Sequence, residues 1–176
     1  RPVGGLPQAF LDIPGVHYAL TSNGAAVVDL CTGRRLYENC IDKDFAAGMV
    51  TDMLECKGLA ECYMDGKCYT DRKNYENADN FSFVPQSLLE YIRKTRIPKD
   101  DLAGYIREEP FGVEKLHMIF GDMKIRDDAF MKMKEKYPDY NITNASSFNM
   151  EINAPTCDKG SGLLALGRIL GIKREQ

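Results

Sequence analysis

Residues 60–70 read Ala-Glu-Cys-Tyr-Met, Asp-Gly, Lys-Cys-Tyr-Thr. An Asp-Gly pair between two strand-like runs specifies a two-residue type I′ turn, whose central positions both need positive φ. Antiparallel pairing is therefore built into the middle of the chain. A second hairpin is expected where residues 25–30 and 35–41 flank Cys31-Thr32-Gly33-Arg34. Hairpins exclude a doubly wound parallel sheet, even though strands and helices alternate through the middle of the chain. The fold class that follows is α+β, an antiparallel sheet with helices on one face.

The remaining elements are placed around these hairpins. Residues 1–13 carry a short helical pattern that ends before Pro14-Gly15, and residues 16–21 read as a strand closed by Ser22-Asn23-Gly24. Asp42 or Asp44 caps a helix reaching Cys56, with Phe45, Met49, Met53 and Cys56 on its buried side. Residues 71–84 show no clean period and read as loop. Residues 85–95 form a helix with proline in its first turn, and Leu88, Leu89 and Ile92 face inward. Pro98 and Pro110 break up residues 97–113. Residues 114–120 are a strand, and Asp127 or Asp128 opens a helix with Phe130, Met133 and Tyr137 inside. Residues 140–143 and 148–152 are two more strands.

A helix follows from Asp158, the N-cap, with Leu163, Leu166, Ile169 and Leu170 at helical spacing and Gly171 as its stop. Lys159 thus sits on the first turn, where the helix dipole already favours negative charge. Two readings are open. The lysine is simply solvated, or it shares an anion with the helix N-terminus.

The bulk numbers exclude several classes. The chain has 176 residues, 44% hydrophobic and 28% charged, enough to bury a core. Net charge is −3 with no basic stripe, which argues against a nucleic-acid partner. No apolar run approaches the roughly 18 residues of a membrane span. Six cysteines lie at 31, 40, 56, 62, 68 and 157 with no zinc spacing, and read as reduced thiols of a cytoplasmic protein. His17 and His117 read as packed or surface residues rather than metal ligands. Gly121-Asp122 followed by Asp127 has a spacing that magnesium can use, but strand ends and helix caps explain these aspartates equally simply. No P-loop, H-E-x-x-H or G-x-S-x-G motif occurs.

Two separated blocks carry a resemblance. One is the run from Val16 through Thr21-Ser22-Asn23-Gly24 to Asp29, followed by a glycine turn and a second strand. The other runs from Asn149 through Glu151-Ile152 and Cys157-Asp158-Lys159-Gly160 to Gly171-Ile172. Together they resemble the Cof-type branch of the haloacid dehalogenase-like hydrolases, which carry the inserted type IIB (C2B) cap. The resemblance implies a magnesium-dependent phosphatase of small phosphate esters, often sugar phosphates, working through an aspartyl-phosphate. Residues 1–24 and 155–176 would be remnants of a Rossmann-like α/β core, and residues 25–154 the cap with its leading hairpin. Lys159 falls on the family's lysine, which neutralises phosphate and nucleophile, and this supplies the anion that its helix position asks for. Asn23 and Gly24 would belong to the hinge or substrate wall. Arg1 matches the final arginine of a Ser/Thr-Gly-Arg phosphate turn.

The departures are as specific. The family's Asp-x-Asp-Gly-Thr nucleophile segment has no counterpart, and the Gly-Asp-x-x-Asn-Asp metal segment that should follow the lysine helix is not present. The 176 residues are therefore expected to be a fragment, inactive alone, binding no magnesium itself, and able to self-associate through uncovered core surface. The substrate expected for the intact enzyme is a small phosphorylated molecule. The rival readings are a stand-alone ligand- or protein-binding module and the cap of a related phosphomannomutase or sucrose-phosphatase-like enzyme.

Overall fold

The computed structural model describes residues 1–81 and 84–175, and for Asn80 the backbone only. In chain order the elements are α1 (Gln8–Leu11), β1 (Tyr18–Thr21), β2 (Ala26–Asp29), β3 (Arg35–Glu38), α2 (Lys43–Leu54), β4 (Leu59–Met64), β5 (Lys67–Asp71), α3 (Arg72–Glu76), α4 (Gln86–Thr95), β6 (Arg96–Lys99), α5 (Leu102–Glu108), β7 (Val113–Ile119), α6 (Met123–Lys136), β8 (Asn141–Thr143), β9 (Asn149–Asn153) and α7 (Lys159–Ile169). They build a three-stranded antiparallel sheet, β1-β2-β3, and a six-stranded sheet in the order β6-β5-β4-β7-β9-β8. The α+β class holds. One pair departs from the antiparallel expectation, because β5 and β6 run parallel, with α3 and α4 supplying the crossover.

Local chemistry sets most helix starts. Side chains of Asp42, Asp71, Asp101, Asp122 and Asp158 cap α2, α3, α5, α6 and α7 by accepting from free backbone N–H groups. Asp65 and Gly66 take φ of 50° and 71°, as the type I′ hairpin between β4 and β5 requires.

Several details correct the sequence reading. Residues 72–76 are helical and a 3-10 turn spans Ala78–Asn80, within a stretch expected to be loop; Ser82 and Phe83 of that stretch lie outside the described residues. The helix α6 begins at Asp122 rather than Asp127 or Asp128, because the Asp122 carboxylate reaches the Lys124 and Ile125 amides. Phe45 is 62% exposed, while Met49 and Met53 are fully buried as expected.

The two faces of the large sheet differ in character. On one, Ala60, Cys62, Leu116, Met118 and Ile152 join side chains from α2, α5 and α6 in the main core. On the other, Leu59 and Ile119 form a smaller cluster with Leu89 and Ile92 of α4. That second face also carries a row of buried polar groups. Cross-strand register places Glu61 beside His117 and His117 beside Glu151. Arg96 binds Glu61 through both Nε and Nη2, at 2.6 and 2.9 Å. Both side chains are buried, so the pair needs full hydrogen bonding to offset its desolvation.

His117 completes the set. Its Nδ1 lies 2.7 Å from Glu61 and its Nε2 3.2 Å from Asn149 Nδ2. The Asn149 carbonyl already accepts from the Ala145 and Ser146 amides, so its amide group must donate to Nε2. The imidazole is therefore neutral with its proton on Nδ1. Burial pushes the His117 pKa down, in agreement. Burial alone would raise Glu61, but Arg96 and the His117 hydrogen bond hold it at about 2.

Glu61→Ala should cost about 3–5 kcal/mol in urea unfolding at pH 7, because Arg96 is left as an unpaired buried cation. The double variant Glu61→Met/Arg96→Met should recover most of that loss. A double variant no more stable than Glu61→Ala would show that the ion pair is not what the single substitution breaks.

Candidate functional site

The site is assembled where the end of β1 meets the start of α7. The residues Ser22, Asn23 and Gly24 form a 3-10 turn with φ of 50°, 65° and 102°. Three consecutive left-handed residues turn the backbone sharply out of β1. Gly24 is required there for a second reason. An added Cβ would lie 2.0 Å from the Asp158 carbonyl oxygen and 3.2 Å from the Lys159 amide nitrogen. From the other side, a Cβ on Gly162 would lie 2.9 Å from Gly24 Cα. Two glycines let the first turn of α7 dock backbone-to-backbone on the turn after β1.

This contact puts Lys159 beside Asn23 and Gly24. The capping box around it is complete: Asp158 accepts from the Ser161 amide, and the Ser161 hydroxyl accepts from the Asp158 amide. The Lys159 side chain is exposed and makes no hydrogen bond or ion pair with the described residues. A free ammonium thus stands at the positive end of an 11-residue helix.

Arg1 reaches the same place only through its backbone. Its carbonyl accepts from the Ser22 amide at 2.9 Å, whereas its guanidinium stacks 4.6 Å from the centre of the Tyr91 ring. Three of the four sequence candidates, Asn23, Gly24 and Lys159, therefore converge directly, and the fourth offers its main chain.

The large sheet adds groups that sequence reading missed. Asn23 Nδ2 donates to Glu151 Oε2 at 2.8 Å and to Asn153 Oδ1 at 2.9 Å. Glu151 also accepts from Lys115 Nζ at 2.6 Å. Lys115 lies 4.6 Å over the Tyr63 ring and is nearly fully buried. Burial would raise the Glu151 carboxyl, but Lys115 holds it at about 2. The available signal was weak: Glu114, Lys115 and His117 interrupt an otherwise apolar strand, and Glu151 sits between Met150 and Ile152. A polar residue inside a strand that is buried on both faces needs partners across the sheet.

The described residues include no group of three or more His, Cys, Asp or Glu able to hold a metal ion. Asp122, read as a possible half of a magnesium pair, is occupied in capping α6. What the arrangement offers chemically is an exposed ammonium beside the free N–H groups of a helix start, its backbone held against Gly24. The apolar periodicity of α7 does not mark its packed side. Gly162 and Ala165 are buried, while Leu163, Leu164, Ile169 and Leu170 remain 40–63% exposed.

The chain belongs to the haloacid dehalogenase-like hydrolases, since the sequence model of that family matches residues 1–176. The fold is similar to that of a haloacid dehalogenase-like hydrolase from Bacteroides thetaiotaomicron, at 17% identity and a TM-score of 0.74, covering 99% of this chain and 63% of that one. A haloacid dehalogenase-like hydrolase from B. subtilis gives 18% identity and a TM-score of 0.69 over 90% of this chain and 60% of that one. A subclass IIB sugar phosphatase of the superfamily gives 12% identity and a TM-score of 0.62 over 91% of this chain and 55% of that one. The chain thus spans less than two thirds of each of these solved chains. No curated protein matches it in sequence. Among the described residues no helix is long and apolar enough to cross a membrane.

Gly24→Ala should destabilise the protein by about 3 kcal/mol or more, combining left-handed strain with a backbone clash. Urea unfolding checks this, and Gly33→Ala, at a positive-φ glycine with nothing within 4 Å, supplies the strain-only control. Acid should weaken the fold through Glu151 and Glu61. Both are depressed from 4.5 to about 2, so their contribution is complete above about pH 4.5 and lost as pH falls through 2. A melting temperature that does not fall between pH 5 and pH 2 would contradict this.

Proposed function

We propose that this chain is the cap-bearing part of a phosphatase that hydrolyses small phosphate esters, sugar phosphates foremost, and that Lys159 binds the transferred phosphoryl group. The observation that carries the reading is the place of Lys159. It is an ammonium with no partner among the described residues, on the first turn of α7, with its backbone held against Gly24. Charge near phosphoryl oxygens suits a compact lysine, and the free N–H groups of a helix start add to it. Membership in a hydrolase family supports the reaction class. That one structural neighbour is a subclass IIB sugar phosphatase is the support for the substrate class.

On this reading residues 25–154 are the cap and residues 1–24 and 155–176 belong to the core. Asn23 sits at their meeting point, oriented by Glu151 and Asn153, and forms part of the substrate wall. Lys115 and Glu151 satisfy each other and give the wall a polar surface of no net charge. The nucleophilic aspartate and the magnesium that the family uses would come from residues other than these, so no catalytic step is assigned to this chain beyond phosphate binding. The 176 residues alone are proposed to be inactive. Six free thiols accord with a reducing cytoplasm.

In the full-length protein, Lys159→Ala should lower kcat/KM for p-nitrophenyl phosphate and for a hexose 6-phosphate by about 100- to 1,000-fold. Unchanged turnover in a folded variant would refute the phosphate role of Lys159.

A further inference from the structure

The turn between β1 and β2 is unusual in carrying two adjacent non-glycine residues, Ser22 and Asn23, at positive φ. Such backbone persists only where its surroundings over-determine it. Here the surroundings can be traced. The Ser22 hydroxyl donates to Glu114 Oε2 at 2.6 Å, and Ser22 and Glu114 are both fully buried. The other oxygen of Glu114 accepts from Arg35 Nη2 at 2.8 Å and from the Gly66 amide at 2.9 Å. Asn153 Nδ2 bridges the Ser22 and Glu114 carbonyls at 3.0 and 2.9 Å. One carboxylate therefore ties together the turn, the small sheet through β3, the β4–β5 hairpin and β7, and Asn153 adds β9. The far side of the same turn is the Gly24–Gly162 contact with α7.

We propose that Glu114 is a positioning residue at the centre of a clamped joint, which holds the large sheet and the Lys159 helix as one body instead of letting residues 22–24 act as a hinge. The Ser22 amide, hydroxyl and carbonyl and the Asn23 side-chain amide are all bonded inside the protein, and the elements the turn joins are packed sheets and a helix. A swing at this turn would pull the Ser22 hydroxyl off a buried carboxylate and strain its bond to Arg35 of the small sheet, while the Gly66 amide of the large sheet stayed in place. Exchange of substrate would then proceed around a fixed wall and not by rotation about this turn. The functional consequence rests on the phosphatase reading above; the mechanical one does not.

The test uses the full-length protein with Ser22→Ala and Glu114→Gln, followed by hydrogen–deuterium exchange and by steady-state kinetics. The bonded Ser22 and Ala25 amides should exchange slowly in the parent and at least tenfold faster in each variant, while amides of β4 change less than twofold. The ratio of kcat/KM for a hexose 6-phosphate to that for p-nitrophenyl phosphate should fall at least fivefold, with kcat for p-nitrophenyl phosphate within twofold. Should Glu114→Gln fail to fold, Ser22→Ala keeps the carboxylate and reads the same joint. Unchanged exchange at the turn, or uniform acceleration across all peptides, overturns the clamp. Faster exchange at the turn with an unchanged substrate ratio overturns the positioning role. If the parent hydrolyses neither ester, the phosphatase reading falls and the exchange result alone decides the joint.

Discussion

The structure depends on one place where two backbones cross with no side chain between them. Gly24 lies against Asp158 and Lys159, and Gly162 lies against Gly24. That approach joins residues more than 130 positions apart in sequence, and it decides where the lysine at the head of α7 stands. A close backbone contact is stiff, because neither partner has rotamers with which to yield. The turn after β1 and the first turn of α7 therefore hold one arrangement against each other.

Around this crossing the protein uses buried charge in an orderly way. Glu61, Glu114 and Glu151 are carboxylates on the large sheet, and each is met by one cation: Arg96, Arg35 and Lys115 respectively. Neutral donors fill the remaining lone pairs: the His117 ring, the Ser22 hydroxyl, the Gly66 amide and the Asn23 amide. Apolar residues would pack such a face with less desolvation cost. The polar row shares its face with the small cluster under α4, whereas the face under α2, α5 and α6 is built from methionine, alanine and branched aliphatics.

Much of this was legible in the sequence. The Asp65-Gly66 hairpin, the Asp42 and Asp158 caps and most of the strand expected over residues 114–120 rest on patterns among neighbours in the chain, so the sequence reveals them. Elements defined against the rest of the fold were not visible. The α3 helix starts directly at the end of β5 with no apolar period. The first of three candidate aspartates, Asp122, caps α6 because its geometry reaches two amides, while Asp127 pairs with Arg126 at the surface. For α7 the spacing of leucines locates the helix but not its packed side, since the glycine crossing selects small residues. The roles of Glu114, Lys115 and Glu151 depend on cross-strand register. A slip of one position would turn each to the opposite face, and no single strand sequence carries that information.

The ends of the large sheet have a further consequence. One outer strand, β6, contains Pro98, and the other, β8, has three residues. An outer strand with a proline cannot offer a full set of amide donors, and a three-residue strand offers too short a template for a stranger to add to. With both borders blunted in this way, the sheet is poorly suited to recruit additional strands from other molecules, and fibre-like growth along its hydrogen-bonding direction is disfavoured from either side.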